Sequence, residues 1–201
     1  MQMNRKEFAG GLASLMVVGC SAGEKNKTGA QMPVKVKKDK ILFVYFSRSG
    51  NTRYATETFA KACGGVKIVE VKAEKPYAPE YNACCEEARP ECRAKTLRAI
   101  QKIEGLDLAA YDVVFFGTPD WWGTMCPPIR TFITQNRDVL KTKTLCIYQT
   151  HGGGGMENVG RDFETLVAGA RVLPPKAFYG STIKLGIGLK AFIADRIAVE
   201  A

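Results

Sequence analysis

The chain has 201 residues, 29 Lys and Arg against 20 Asp and Glu, and 46% hydrophobic residues, the composition of an ordinary globular protein. This excludes a disordered tail protein, a collagen-like fibre and a multi-span membrane protein. The formal charge of +9 would by itself point to nucleic acid, an anionic membrane or an acidic partner, so its place along the chain decides what it means.

Asn4-Arg5-Lys6 precedes a mostly apolar run from Phe8 to Val18, then Gly19-Cys20. The run is shorter than the ~20 residues of a spanning helix, and its basic-then-apolar order is that of an export signal over residues 1–20. Val17-Val18-Gly19-Cys20 resembles the bacterial lipobox, which implies lipid attachment at Cys20 and an exported protein held at the membrane; an ordinary signal peptide with a cysteine near its cleavage site is the alternative. Arg5-Lys6-Glu7-Phe8 resembles a twin-arginine export motif with Lys in place of the second Arg. Residues 21–40 hold few large apolar groups and are expected to form a flexible tether. The tether carries +4, the signal +1 and residues 41–201 +4. Much of the basicity thus belongs to a segment that is either a leash near anionic lipid or a solvated linker, and no nucleic-acid partner is expected.

From residue 41 short apolar runs alternate with helical spacing, the pattern of βαβ units and a parallel sheet in a single α/β domain over 41–201. Ile41 to Phe46 reads as a central strand covered on both faces. Thr52 to Cys63 places Ala55, Phe59, Ala62 and Cys63 on one helix face. Val66 to Val71, interrupted by Lys67 and Glu70, reads as a strand nearer an edge. Tyr77 to Gly105 is charged, bears cysteines and is broken by prolines, and reads as one or two short helices around Tyr81 to Ile103. Val113 to Phe116 and Leu145 to Tyr148 read as buried strands, followed by helices over Pro127 to Gln135 and Met156 to Val167. A last strand near Arg171 to Tyr179 precedes a helix with Leu189, Phe192, Ile193 and Ile197 on one face.

In an open parallel sheet ligands bind beyond the carboxyl ends of the strands, where strand order reverses. Three loops lie there. Ser47-Arg48-Ser49-Gly50-Asn51-Thr52 runs into a helix and is either a capped turn or a phosphate cradle of hydroxyls and helix-start amides. Its spacing matches neither the nucleoside-triphosphate loop nor the three-glycine dinucleotide fingerprint. Thr118-Pro119-Asp120-Trp121-Trp122-Gly123-Thr124 sets both tryptophans of the chain in a loop, which fits a planar ligand or a core anchor. His151-Gly152-Gly153-Gly154-Gly155 lets the backbone approach a ligand closely. With one His in the chain and no fitting Cys spacing, no metal site is expected.

Ile41 to Thr52, Phe115 to Phe132 and Cys146 to Gly155 together resemble the flavodoxins, especially bacterial members whose second loop carries a Trp-Trp-Gly-Thr-Met run followed by prolines. The resemblance implies a three-layer sandwich of the short-chain type, with a five-stranded parallel sheet in the order 2-1-3-4-5 and FMN at its carboxyl edge. It implies that Ser47, Ser49, Asn51 and Thr52, with the amides of Arg48 and Gly50, hold the phosphate. Thr118 to Thr124 would border the isoalloxazine with one Trp stacked on it, and His151 to Gly155 would line its pyrimidine side. No residue is assigned a catalytic role. One carboxylate, Asp120, set against Arg48, Arg53 and Arg130 implies a fully reduced flavin less destabilised than in acidic flavodoxins. An electron carrier serving redox protein partners is the first reading, with an FMN-dependent quinone or nicotinamide reductase as the alternative; monomer and dimer stay open. Cys63 and Cys146 are expected in the core. Cys85 and Cys92 would be ~10 Å apart on one helix, too far to bridge unless Pro90 bends it, and for Cys126, four residues after Trp122, a place near the flavin is only a minor alternative.

Overall fold

Neighbouring residues of the central strands face opposite ways, and both faces are apolar. In β2 (Ile41–Tyr45) Ile41 and Phe43 enter one core cluster while Leu42 and Val44 enter the other. Both faces of a sheet can be so apolar only when helices cover both, as crossover connections between parallel strands require. The computed structural model describes residues 32–156 and 158–200. The expected signal at 1–20, Cys20 and residues 21–31 of the expected tether lie outside the described residues.

In chain order the elements are β1 (Val34–Lys37), β2, α1 (Asn51–Ala62), β3 (Lys67–Glu70), α2 (Tyr81–Ala94), β4 (Val113–Trp121), β5 (Thr124–Met125), α3 (Pro127–Gln135), α4 (Arg137–Leu140), β6 (Thr144–His151), α5 (Val159–Leu166), β7 (Arg171–Val172), β8 (Lys176–Tyr179), α6 (Leu189–Ala194) and β9 (Ile197–Glu200). The main sheet runs β3-β2-β4-β6, with β7 and β8 both pairing in parallel with β6. Counting β7 and β8 as one interrupted position, this is the 2-1-3-4-5 order. Pro174 and Pro175 cause the interruption, since proline has no N–H for the ladder. With the short antiparallel β5 added to β4, the sheet has seven strands rather than the expected five. The cluster holding Phe59 of α1 and Phe192 of α6 covers one face; that holding Ile129 of α3 and Phe163 of α5 covers the other. No helix among the described residues is long and apolar enough to cross a membrane.

Two expectations at the edges of the domain are corrected. Val34–Lys37, placed in the tether, is a strand paired in parallel with β9. Val36 and Ile197 are buried in the core, so the Val-Lys alternation is that of a half-buried strand. Ile197, expected on a helix face, accordingly sits beyond the end of α6.

Between β3 and β4, Tyr81–Ala94 is one helix despite Pro90. The Glu80 carboxylate caps it, accepting from the amides of Asn82 at 3.0 Å and Ala83 at 2.7 Å. Arg98 holds its far side through Glu87 and Glu91, each at 2.8 Å, with its guanidinium 3.7 Å from the Tyr77 ring centre.

Candidate functional site

At the carboxyl edge of the sheet a cleft of about 910 Å³ opens between the loops after β2, β4, β6 and β8, with α2 as its outer wall. Pockets for small ligands span roughly 300–1,000 Å³, so the cleft is ample for a mononucleotide.

Its floor is the start of α1. Gly50 stands before the helix at φ +90, a left-handed conformation that favours glycine, and its amide donates to Ser47 Oγ at 3.1 Å. No side chain caps the helix. The first amide to reach back is that of Tyr54, to the Gly50 carbonyl at 2.9 Å, which leaves the amides of Asn51, Thr52 and Arg53 without intrahelical acceptors. Of the two alternatives for this loop, a side-chain-capped turn is not what forms, and the amides at the start of α1 are left open to an acceptor. A hydroxyl chain fixes its position. Tyr148 donates to Thr56 Oγ1 at 2.6 Å, Thr56 donates to the Thr52 carbonyl at 2.7 Å, and Thr52 and Thr150 share a bond at 2.8 Å. All four residues are buried.

The second loop is a hairpin rather than a loose loop. β4 continues to Trp121 and returns as β5 across Trp122 and Gly123, whose φ values of +56 and +74 match a two-residue type I′ turn. The tryptophans divide. Trp121 packs edge-on against Phe46 at 5.5 Å and Tyr77 at 4.8 Å. Trp122 is exposed, donates from Nε1 to the Cys85 carbonyl at 3.3 Å, and lies under the Arg89 guanidinium at 4.5 Å. In the third loop the His151 ring organises the glycines, its Nδ1 accepting from the amides of Gly153 and Gly155 at 3.1 Å each, so the ring proton is assigned to Nε2. Gln149 donates to the Gly155 carbonyl.

Of the residues singled out in the sequence, Arg48, Ser49, Asn51, Pro119, Asp120, Trp121, Trp122, His151 and Gly152 line the cleft. The others stand behind it. Ser47 and Gly50 close the turn, and Thr52 is tied to Thr150. Thr118 accepts from the Cys126 amide at 3.0 Å. Gly123 completes the hairpin, while Gly153, Gly154 and Gly155 form the far side of the His151 loop. Thr124 is drawn away into an ion cluster, accepting from Arg130 at 2.8 Å and donating to Asp162 at 2.9 Å.

The electrostatics differ from the expectation. Arg130 is buried and paired with Asp162 at 3.1 Å, and Arg53 is paired with Glu70 at 2.6 Å, so neither lines the cleft. Burial works to raise the Asp162 carboxyl, but hydrogen bonds from Lys95, Thr124 and Arg130 outweigh it and hold the group below its ordinary range. The cationic side chains lining the cleft are Arg48 and Arg89. Arg48 donates to the Pro79 carbonyl at 2.8 Å and lies over the Tyr81 ring at 5.4 Å; Arg89 pairs with Glu86 at 2.5 Å.

Sequence reasoning missed the outer wall. Tyr81, Cys84, Cys85 and Arg89 face the cleft from α2, and Tyr179, Gly180 and Ser181 close its other end. Cys126 is fully buried behind the cleft lining, against the minor alternative that placed it near the flavin, and burial pushes its thiol up to about 12. All six cysteines of the domain are free, and Cys85 and Cys92 share one helix. Among the described residues no group of three His, Cys, Asp or Glu is placed to hold a metal ion.

A sequence model of the family described as Flavodoxin matches residues 40–192. Among solved structures, a protein described as a flavoprotein from Bacteroides uniformis superposes with a TM-score of 0.63 at 24% identity, covering 78% of this chain and 99% of that one. One so described from Bacteroides eggerthii gives 0.60 at 25%, covering 76% and 98%. A flavoprotein from Lactobacillus acidophilus, solved in complex with FMN, gives 0.60 at 22%, covering 73% and 97%.

Proposed function

Since the chain belongs to the flavodoxin family over residues 40–192, we propose that it binds FMN in the cleft above α1 and passes electrons between redox proteins. The observation that carries this reading is the uncapped start of α1 beneath a mononucleotide-sized cleft. The residues fit the group. The amides of Asn51, Thr52 and Arg53, with Ser49 and Asn51 beside them, would take the phosphate. Trp122, His151 and Gly152 would border the ring, with Trp121 behind. The fit is tight at one end, where a β-carbon on Gly180 would lie 2.7 Å from Asn51 Nδ2 and 3.3 Å from the His151 carbonyl. When bound, FMN supplies one- and two-electron transfer, while the protein places it and sets the charge around it. With Arg48 and Arg89 balanced by Asp120 and Glu86 along the cleft, these side chains oppose the anionic reduced ring less than an acidic rim would.

The order of basic residues, apolar run and Gly19-Cys20 supports export and lipid anchoring at Cys20. One observation favours an FMN-dependent oxidoreductase as a second reading. The α2 wall, bonded to Trp122, encloses space beside the cradle in which a quinone-sized substrate could stand.

The purified protein is expected to be yellow, with the absorption bands of bound flavin. Ser49→Glu, which sets a carboxylate against the phosphate, is expected to weaken FMN retention about a hundredfold or more while the protein stays folded. A colourless protein that takes up no added FMN would refute the reading. Anaerobic titration separates the two functions: two resolved one-electron steps support the carrier, and a single two-electron step with quinone turnover supports the reductase.

A further inference from the structure

Beyond the cleft, the segment between β8 and α6 presents a surface that neither FMN binding nor an anchor at Cys20 explains. Leu185 and Ile187 are 70% and 74% exposed, the most exposed large apolar side chains among the described residues. They project from a loop fixed at both ends, because Ile183 and Leu189 on either side are core residues. Left-handed glycines at Gly186 (φ +71) and Gly188 (φ +73) turn the chain between them, and the Tyr54 hydroxyl donates to the Lys184 carbonyl at 3.3 Å. The apolar pair is therefore held outward on an anchored loop.

The charge around it has one sign along the chain. From Thr165 to Ala194 the sequence carries Arg171, Lys176, Lys184 and Lys190 and no Asp or Glu. Lys184 and Lys190 flank the apolar pair and are exposed. The Lys176 ammonium would lie 3.8 Å from a β-carbon at Gly188, which brings it to the same loop.

We propose that this loop docks on an anionic phospholipid surface, with Leu185 and Ile187 entering the boundary between headgroups and acyl chains and Lys176, Lys184 and Lys190 meeting the lipid phosphates. Two exposed aliphatic side chains on one loop are far short of the ~800 Å² that each partner buries in a stable protein interface, and lysine is depleted from such interfaces. Shallow apolar insertion surrounded by lysines suits a lipid boundary. Tyr179, Gly180 and Ser181, just before the loop, line the cleft, so docking would bring that end of the cleft beside the headgroups.

The full chain carrying Cys20→Ser, so that no acyl group is attached, is titrated by co-sedimentation with phosphatidylcholine vesicles containing about a third phosphatidylglycerol. The variant Leu185→Ser/Ile187→Ser in the same chain is expected to need about tenfold more lipid for half-binding. Lys184→Glu/Lys190→Glu is expected to show a similar loss that disappears at high salt. Lys184, Leu185, Ile187 and Lys190 are all exposed, and unchanged thermal unfolding verifies the fold. Half-binding within twofold of the parent for the serine variant overturns the proposal, whatever the amino terminus contributes. So does a change in sedimentation from dimer to monomer with vesicle binding unaltered, which would assign the patch to a second copy.

Discussion

Gly117 lies at the middle of the sheet, directly between Tyr45 of β2 and Tyr148 of β6. Tyr148 lies across it. A β-carbon at this position would fall 2.5 Å from Oη, 2.6 Å from Cζ and 2.8 Å from Cε2 of that ring. The ring is fully buried and packs edge-on to Phe59 at 4.9 Å and against Phe192 at 5.8 Å, so it has no free volume to move into. Gly117→Ala should therefore cost the ~1–3 kcal/mol of an overpacked core. Loss of the Tyr148 to Thr56 hydrogen bond should add about 1 kcal/mol. The expected total, near 3 kcal/mol, is a large part of the ~5–15 kcal/mol that holds a domain together. Urea unfolding with an unchanged slope measures it. In a Tyr148→Leu background the added methyl meets no ring, so Gly117→Ala should then cost less than about 1 kcal/mol, a non-additivity near 2 kcal/mol. A single substitution within about 1 kcal/mol of the parent, or additive energies in the double variant, would refute the account. Because Tyr148 positions α1 through Thr56 and Thr52, the same substitution should also lower FMN retention.

At neutral pH, Asp162→Asn should cost about 3 kcal/mol, since it leaves the buried Arg130 guanidinium without its counter-charge. Because the folded state holds the Asp162 carboxyl below its unfolded value of ~3.9, its stabilisation is present above that value and lost as the pH falls through the lower folded value. Parent and variant melting curves should thus converge in acid. Burial pushes the thiols of Cys63, Cys92, Cys126 and Cys146 up to about 12 and also raises that of Cys84. A charged thiol reagent on the native protein should therefore label Cys85 first among the domain cysteines, and mass mapping that finds Cys126 labelled as fast would contradict the fold. Trp121→Ala should cost about 3 kcal/mol through its lost packing on Phe46 and Tyr77. Trp122→Gly should cost only about 1 kcal/mol, because relief of the left-handed backbone, about 1 kcal/mol, offsets part of the lost contacts with Arg89 and the Cys85 carbonyl; thermal unfolding separates the two.

The central strands and α1 were legible in the sequence because their signal is local. Ile41–Tyr45 is apolar at every position since both faces are covered, and the 3.6 spacing of Ala55 and Phe59 marks one buried helix face. The turn into α1 was legible for the same reason, since a glycine before a helix and the hydroxyls around it are neighbours in the chain. Pairings that join distant segments were not. Val34-Lys35-Val36-Lys37 alternates with period two, yet four residues carry little weight until Ile197–Glu200 is known to lie beside them, about 160 positions away. The fate of Arg53 and Arg130 was hidden likewise, because their partners Glu70 and Asp162 come from other elements.

The outer wall of the cleft shows where a local signal existed and was outweighed. Cys84, Ala88 and Cys92 recur at four-residue intervals and are the buried residues of α2, a clear stripe for one helix of 14 residues. Pro90 argued for a break, since a proline inside a helix removes a donor and crowds the preceding turn at ~3 kcal/mol or more. The helix persists because its cost is met elsewhere. Glu80 caps its start, Glu87 and Glu91 hold Arg98 on one side, and Lys95 reaches Asp162 at 2.8 Å from its end. These contacts also fix the faces of α2, which is why Cys85 and Arg89 meet Trp122 across the cleft rather than solvent. A helix that would be marginal alone is thereby made the wall of the site by charges that the linear pattern of apolar residues does not register.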